Sequence, residues 1–306
     1  MDTRRRKLIG YLCALGAGTL WGTTGPLSTA LYAQGAQITG IGFWRIALAT
    51  AAFLVFGTLR RGVYAADRRT VLLAALVGGG FVALFEVGYQ FAIVGTGVAG
   101  AAALLYTAPV MVALLADPLL GEKLTPARLV LAVVVGAGAA LTVRGGQHEA
   151  VAGAQSPSLA AGVAGGLAAA AAYAGTTVLA RFLVPRIGSL RFLVLEIAGG
   201  SVLLAVALPL AGRPPAVPPS LAAWGYVVAL AVGTVWAANM LFFGGVKRIE
   251  AAPTAVAATI EPVVGALLAL ALFGQQLSLT GWLGLAMVVG GVAAGYAREA
   301  VGGDRE

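Results

Sequence analysis

The sequence predicts an all-α integral membrane protein of ten transmembrane helices, arranged as two inverted five-helix repeats with both chain ends in the cytoplasm. Three observations indicate this fold class: the apolar composition, a repeated segment, and the placement of basic residues. Hydrophobic residues make up 59% of the 306 positions and charged residues 10%, with a mean hydropathy of +0.92. A soluble core of this length needs more polar cover. The apolar runs are close to the ~20 residues that a spanning helix requires, and they lack the alternation of barrel strands.

The predicted spans form two groups of five on either side of a polar linker at residues 144–158. The first group makes up a repeat at residues 8–143, and the second a repeat at residues 159–297. An odd number of spans per repeat means that the second copy enters the membrane from the opposite face. The ten spans are predicted at residues 8–31, 39–59, 70–94, 97–120, 126–143, 159–184, 188–210, 220–245, 251–273 and 280–297.

The repeat is clearest around two prolines in the fourth and ninth spans. Shifting Pro109 by 153 positions onto Pro262 makes nine of the sixteen residues from Pro109 to Leu124 identical. A proline at the centre of a lipid-length helix removes a backbone donor and crowds the carbonyl one turn earlier. Backbone polarity left at bilayer depth usually faces a cavity, so we expect helices four and nine to be broken beside a midplane site between the two copies.

Lysine and arginine set the predicted orientation. With the N-terminus inside, 17 of the 20 basic residues fall in inside segments, Arg144 and Arg213 fall outside, and Arg45 lies within a span. Basic residues concentrate on the cytoplasmic side of membrane proteins. The net charge of +8 is therefore a topology signal and does not indicate nucleic-acid binding.

Several short motifs stand out in the predicted helices. They are Trp21-Gly22 in the first helix, Phe43-Trp44-Arg45 in the second, and the two proline helices followed by Gly-Glu-Lys-Leu-Thr or Gly-Gln-Gln-Leu-Ser. These motifs resemble the EamA-type branch of the drug/metabolite transporter superfamily. Within that branch the chain looks most like YddG-type exporters of aromatic and other neutral amino acids. The resemblance implies a monomeric ten-helix basket in the lipid bilayer, with a central cavity lined by helices one, three, four, six, eight and nine.

Four charged residues lie well inside predicted spans, where a charge costs at least ~2.5 kcal/mol on insertion scales. By helical rise, Arg45 and Glu86 lie ~9 Å and ~12 Å from the outer ends of helices two and three, so they can meet. We expect a structural ion pair, the alternative being that Arg45 holds a substrate carboxylate and Glu86 an ammonium or a proton. Glu196 is expected to be structural, with Arg191, Lys247 or Arg248 near the inner side to neutralise it. Glu261, directly before Pro262, suits a cavity role or a packing role equally.

Every third or fourth residue from the central prolines defines one face on each helix, and these faces carry aromatic and polar side chains. Tyrosine and tryptophan pack an apolar body while their polar tips need partners, which favours a wall for planar or apolar substrates over mere core packing. The candidate substrate-binding residues are Trp21, Thr24, Glu86, Tyr89, Tyr106, Pro109, Tyr173, Trp236, Asn239, Phe243 and Glu261.

Other chemistries find little support in the sequence. Cys13 is the sole cysteine and His148 the sole histidine, so neither a metal cluster nor a His-based triad can be assembled, and no cofactor is expected. The glycines at 95, 97 and 100 fit a dinucleotide fingerprint, but no strand precedes them. We therefore expect a secondary transporter in a bacterial cytoplasmic membrane that exports small neutral solutes, most simply amino acids. The alternatives are an intramembrane enzyme using Glu86 or Glu261 and a passive channel.

Overall fold

The computed structural model describes residues 3–59, 67–112, 125–146, 157–249 and 251–302. Within these ranges every regular element is helical, and Gly146 and Leu277 form an isolated β-bridge. Two π-helical segments, Leu73–Gly78 and Ala229–Ala237, each lie directly between two α-helices. The helices are α1 (Thr3–Gly22), α2 (Thr24–Ala33), α3 (Ile38–Leu59), α4 (Arg68–Leu72), α5 (Gly79–Leu105), α6 (described over residues 108–112), α7 (Pro126–Gly145), α8 (Leu159–Ile187), α9 (Ser189–Leu210), α10 (Leu221–Val228), α11 (Ala238–Ile249), α12 (Ala251–Ala258), α13 (Glu261–Phe273) and α14 (Leu279–Gly302).

Several of these helices are long and apolar enough to cross a bilayer. In the described residues they are Ile38–Gly57, Arg68–Leu105, Leu159–Ile187, Ser189–Leu210, Leu221–Ile249 and Pro253–Phe273, and shorter apolar helices occupy Leu129–Gly145 and Leu279–Gly295. Many of their leucines and valines are exposed on the protein surface, as lipid-facing side chains are. The protein is therefore a multi-pass helical membrane protein. The count of ten spans and their orientation stay predictions, and residues 113–120 at the end of the predicted fourth span lie outside the described residues.

Helices differ from the predicted spans mainly where they are interrupted. The predicted first span contains two helices, α1 and α2, which are separated by a turn at Thr23. The predicted third and fourth spans meet within α5, which kinks at Gly97 with φ 72° and ψ 172°. This left-handed φ favours glycine because a Cβ would clash with the backbone. Gly97 therefore separates the two spans where the sequence predicts a boundary.

Polar side chains cap the helices that start in connecting segments. Asp67 accepts a hydrogen bond from the backbone N–H of Thr70 at the start of α4, and Ser158 and Ser220 do the same for α8 and α10. Hydrogen bonds from the Thr70 side chain and backbone lower the pKa of Asp67. Its contribution to stability is therefore present above the ordinary aspartate pKa and is lost as pH falls through the lowered value.

The chain divides into two compact units, each of which takes segments from both sequence repeats. Unit 1 contains Met1–Leu27, Thr96–Glu149 and Gly233–Glu306, and unit 2 contains Ser28–Gly95 and Ala150–Val232. In unit 1, α1 packs against α11, α12 and α13, while α7 packs along α14. In unit 2, α9 packs against the segment Leu73–Gly78 and against α3 and α8. Segments far apart in sequence thus form each core.

Glycine allows the closest helix contact in unit 2. A Cβ added at Gly79 would lie 2.6 Å from the backbone carbon of Gly199, and one added at Gly199 would overlap the backbone of Ala75. A Cβ at Gly200 would lie 2.8 Å from a Val82 methyl group. Small residues let helix backbones approach closely in a bilayer, where apolar area alone does not drive association. The segment from Ala75 to Gly79 and α9 therefore touch backbone to backbone.

Replacing Gly79 by alanine should destabilise the protein because its methyl group has no space against the Gly199 backbone. We expect a loss of about 1–3 kcal/mol, the usual cost of overpacking, and a lower thermal unfolding midpoint in detergent. The matched control is Gly80→Ala, since no heavy atom lies within 4 Å of an added Cβ there. That variant should unfold at or slightly above the wild-type temperature, because alanine favours the helix. Equal midpoints for the two variants would contradict the close contact.

Candidate functional site

Three helix interruptions lie in the described part of unit 1. They fall at Thr23 between α1 and α2, at Tyr106–Thr107 between α5 and α6, and at Thr259–Ile260 between α12 and α13. Residues 106–107 and 259–260 are separated by 153 positions, the same offset as the repeat. Two of the breaks are thus one feature that occurs in both copies. Helices four and nine are broken, as the sequence predicts, but each break precedes its proline by two or three residues.

A threonine makes the same local hydrogen bonds at each break. The backbone N–H and the hydroxyl of Thr23 both donate to the carbonyl oxygen of Leu20, at 3.1 and 2.6 Å. Thr107 donates to Leu104 at 3.1 and 2.6 Å, and Thr259 donates to Val256 at 3.2 and 2.6 Å. A helix end leaves carbonyl groups without helical partners, which is costly in hydrocarbon. Each threonine satisfies one of these carbonyls within its own turn.

A proline lies in the first turn of the helix that follows each break. For two of these prolines, a glycine of another helix lies against the carbonyl four residues earlier, to which the proline can donate no hydrogen bond. The carbonyl four residues before Pro262 belongs to Ala258, and a Cβ added at Gly18 of α1 would lie 2.5 Å from its oxygen. Four residues before Pro26 is Gly22, whose oxygen would lie 3.2 Å from a Cβ added at Gly265. Proline is tolerated in a first turn because its missing N–H has no helical partner there. The two broken helices therefore cross where glycines admit the freed carbonyls.

Glu261 joins two of the breaks. It is the first residue of α13, and its Oε2 accepts a hydrogen bond of 3.1 Å from the Tyr106 hydroxyl at the other break. The Glu261 carbonyl lies against Gly22, where an added Cβ would be 2.7 Å away. A carboxylate is also favoured at a helix N-terminus by the helix dipole. Glu261 thus contacts the other two breaks of unit 1, with its carboxyl at Tyr106 and with its backbone at Gly22.

Aromatic rings lie on α1 and α11 in the same unit. The ring of Trp21, which precedes Gly22, is 5.4 Å from that of Phe242, and Phe242 is 6.5 Å from Phe243. Asn239 of α11 donates from Nδ2 to the carbonyl of Val235, which lies one turn earlier in the π-helical segment, at 2.7 Å. The remaining candidates of unit 1 are Thr24, which is buried, Pro109 in the first turn of α6, and Trp236 in the π-helical segment Ala229–Ala237.

The candidates in unit 2 form two separate groups. Nη1 of Arg45 lies 3.2 and 3.1 Å from Oε1 and Oε2 of Glu86, and both side chains are buried. One turn later on α5, Gln90 accepts a hydrogen bond of 2.8 Å from the hydroxyl of Tyr32. The structure thus brings Arg45 and Glu86 together, inside a buried polar layer.

Phe85 contacts both tyrosine candidates of unit 2. Its ring stacks on Tyr89 at 5.5 Å and lies 6.3 Å from the ring of Tyr173. Tyr89 is buried, whereas Tyr173 is 48% exposed. Among the described residues, no group of three or more His, Cys, Asp or Glu side chains is placed to hold a metal ion.

Sequence reasoning missed the three break threonines and two phenylalanines. A usable signal exists for the threonines, since each precedes a proline by two or three positions: Thr23 before Pro26, Thr107 before Pro109 and Thr259 before Pro262. Phe85 has the four-residue helical spacing to Tyr89, which also marks a shared face. Phe242 had no such signal, because its neighbour Phe243 fits the face equally well.

Comparison with known proteins identifies a family and a fold. The model of the EamA-like transporter family matches the chain twice, over residues 8–144 and 160–295. One crystal structure is 22% identical in sequence, with a TM-score of 0.65, and the match covers 96% of this chain and 97% of that one. At this identity the likeness concerns the fold alone. No curated protein matches the chain.

Removing the Tyr106 hydroxyl should cost stability only while Glu261 is present to accept its hydrogen bond. We expect Tyr106→Phe to lower the free energy of unfolding by about 1 kcal/mol in the wild type and by much less in a Glu261→Met background. Equilibrium unfolding of the four proteins in mixed micelles measures this coupling. Additive losses would show that the hydrogen bond does not link the two breaks.

Breaking the Arg45–Glu86 pair on one side should cost more than replacing both partners. Arg45→Met leaves a buried carboxylate without its cation, which typically costs about 3–5 kcal/mol, while the double variant Arg45→Met/Glu86→Leu should lie much closer to the wild type. Unfolding of both variants tests the structural role. A double variant that is stable but no longer transports solute would instead favour a direct role in substrate binding.

Proposed function

The chain belongs to the EamA-like transporter family, a family of membrane solute transporters, and on that premise we propose that it is a secondary transporter for small neutral organic solutes, amino acids foremost. The proposal includes export from a bacterial cytoplasm by alternating access, with both chain ends inside. The charge asymmetry along the sequence supports this orientation. The observation that carries the proposed site is the Tyr106–Glu261 hydrogen bond at two helix breaks.

The chemistry of the breaks suits an amino acid. The carboxyl of Glu261 and the hydroxyl of Tyr106 can meet a substrate ammonium group. The half-helix α13 begins at Glu261, and the N-terminus of a half-helix favours an anionic group such as a substrate carboxylate. Rings on α1 and α11 offer an apolar wall for a side chain. We propose Trp21, Tyr106 and Glu261 as the main contacts, with Thr24, Pro109, Trp236, Asn239 and Phe243 also in the site.

Broken helices also suit the required movement. At each break the regular helical hydrogen bonds are interrupted, and the backbone N–H and the hydroxyl of one threonine share a single carbonyl, so rotation there disrupts fewer helical bonds than elsewhere. Glycine crossings hold the breaks against each other without side chains that must be repacked. We propose that these turns act as hinges during alternating access.

Reconstituted liposomes test the function directly. We expect saturable flux of labelled neutral amino acids that unlabelled neutral amino acids compete for, and loss of most of that flux in Glu261→Gln. Labelling of a single cysteine near the N-terminus, in a Cys13→Ser background, fixes the sidedness of each preparation. Flux that rises linearly with concentration would indicate a channel, and folded protein that moves none of the common amino acids would refute the proposal.

Substrate selectivity provides the sharper check on the aromatic wall. We expect Trp21→Ala to reduce flux of aromatic amino acids by about tenfold and of small ones far less, since an aromatic contact contributes ~0.5–1.5 kcal/mol beyond area burial. Trp224→Ala is the matched control, because Trp224 contacts Trp44 at 5.0 Å in unit 2 and lies outside the proposed site. Equal losses for all substrates in Trp21→Ala would mean that this ring only packs the helices.

A further inference from the structure

Glu196 on α9 has a buried carboxyl group in unit 2 and is not part of the proposed solute site in unit 1. Its side chain is 5% exposed, and its Oε2 accepts one hydrogen bond of 3.1 Å, from the hydroxyl of Thr176 on α8. No lysine or arginine nitrogen of the described chain lies within 4.0 Å of this carboxyl. The sequence led us to expect neutralisation by a basic residue. A neutral hydroxyl takes that place, so the expected ion pair is wrong.

Charged and titratable groups on the elements around α9 have other positions. The segment Leu73–Gly78 carries no titratable side chain. Arg45 of α3 pairs with Glu86 of α5. The other titratable groups on these helices are Tyr89 on α5, Tyr173, Arg181 and Arg186 on α8, and Arg191 on α9 itself, and the one hydrogen bond of the Glu196 carboxyl in the described chain comes from Thr176. Arg186 donates to the Phe182 carbonyl in its own helix at 2.7 Å. Glu196 is thus left with a neutral donor.

The two repeats have different residues at the position of Glu196. Arg45 corresponds to Glu196 at an offset of 151, and Glu86 corresponds to Asn239 at an offset of 153. At these two positions the first copy therefore has a cation and an anion, whereas the second has a carboxyl and an amide. An isolated carboxylate in an apolar interior is strongly disfavoured, so a group of this kind takes up a proton instead. Only the second copy offers a carboxyl that can change its charge without breaking an ion pair.

The carboxyl also lies at the tightest helix contact of unit 2. A Cβ added at Gly78 would be 3.1 Å from Cβ and 3.6 Å from Oε2 of Glu196. Gly78 ends the π-helical segment, and π turns in helices are frequent at functional sites. A negative charge here would lie in a close helix contact with one hydroxyl donor, which favours the entry of water and looser packing of α9. The charge state of Glu196 is therefore tied to the packing of α9.

We propose that Glu196 is the site that binds and releases the coupling proton of the transporter. With the proton bound, the neutral carboxyl allows α9 to pack against the segment Leu73–Gly78. When water reaches the group, the proton leaves and the contact opens. The coupling role rests on the proposed transport function, whereas proton binding by Glu196 does not.

Accumulation against a gradient tests the coupling. One coupled proton can sustain up to about tenfold accumulation of a neutral solute per unit of pH difference. With the liposome interior one unit more acidic than the bath, we expect the wild type to accumulate a neutral amino acid several-fold. Glu196→Gln should let the solute equilibrate without accumulating it. Glutamine has the size of glutamate and can accept the hydrogen bond from Thr176, but it cannot gain or lose a proton.

Two variants separate loss of the proton from loss of packing. Glu196→Asp keeps a titratable carboxyl and should restore part of the accumulation. Ser201→Ala removes the 2.9 Å contact of α9 with Thr50 of α3 and should accumulate solute as the wild type does. Accumulation by Glu196→Gln equal to the wild type, or a wild type that transports without responding to the gradient, would overturn the coupling role.

A spectroscopic titration keeps this inference distinct from the function itself. Infrared difference spectra between acid and alkaline pH should contain a carboxyl band that is missing in Glu196→Gln and present in Glu261→Gln. A wild type that moves no solute but retains this band would refute the transport proposal and leave the proton site standing. A spectrum that Glu196→Gln leaves unchanged would overturn the proton site.

Discussion

Backbone polarity in hydrocarbon is the constraint on which the described structure depends. Each N–H or C=O group without a partner costs several kcal/mol inside a bilayer, so an interrupted helix needs a local solution. Thr23, Thr107 and Thr259 provide it for one carbonyl at each break. Glycines in the opposing helix accommodate the carbonyls that two prolines displace. The packing of α1 on α12 and α13 follows, since bulkier residues would hold these helices apart.

The fold class followed from composition, and the broken helices followed from two prolines at matching positions. What the prolines could not show is the position of the break. A proline cannot donate to the carbonyl four residues earlier, so the preceding helix ends ahead of it and the interruption falls at Tyr106–Thr107 and Thr259–Ile260. The break at Thr23 went unnoticed because the sixth span, its counterpart in the other repeat, has none.

The candidate site shows the same division between what sequence does and does not determine. Helical rise gives depth along an axis, and depth was enough to suggest that Arg45 can reach Glu86. Rise does not give the direction in which a side chain points, so it could not show that Glu196 contacts Thr176 and not a basic residue. The Tyr106–Glu261 contact joins residues 155 positions apart at the crossing of two interrupted helices. A single sequence contains no signal for such a crossing.

Three carboxyl groups are buried or half-buried among the described residues, and they differ in what holds them. Glu86 is fixed by a guanidinium, so protonating it would leave Arg45 as a buried charge, which is as costly as the carboxylate alone. Glu261 and Glu196 instead accept hydrogen bonds from a tyrosine and a threonine hydroxyl, and a hydroxyl can rotate to accept from a protonated carboxyl as readily as it donates to a carboxylate. A carboxyl held in this way can change its charge while keeping its neighbour. Among the described residues, Glu196 at the glycine contact of unit 2 is thus held in a way that suits proton exchange, whereas the Arg45–Glu86 pair of the same unit resists it.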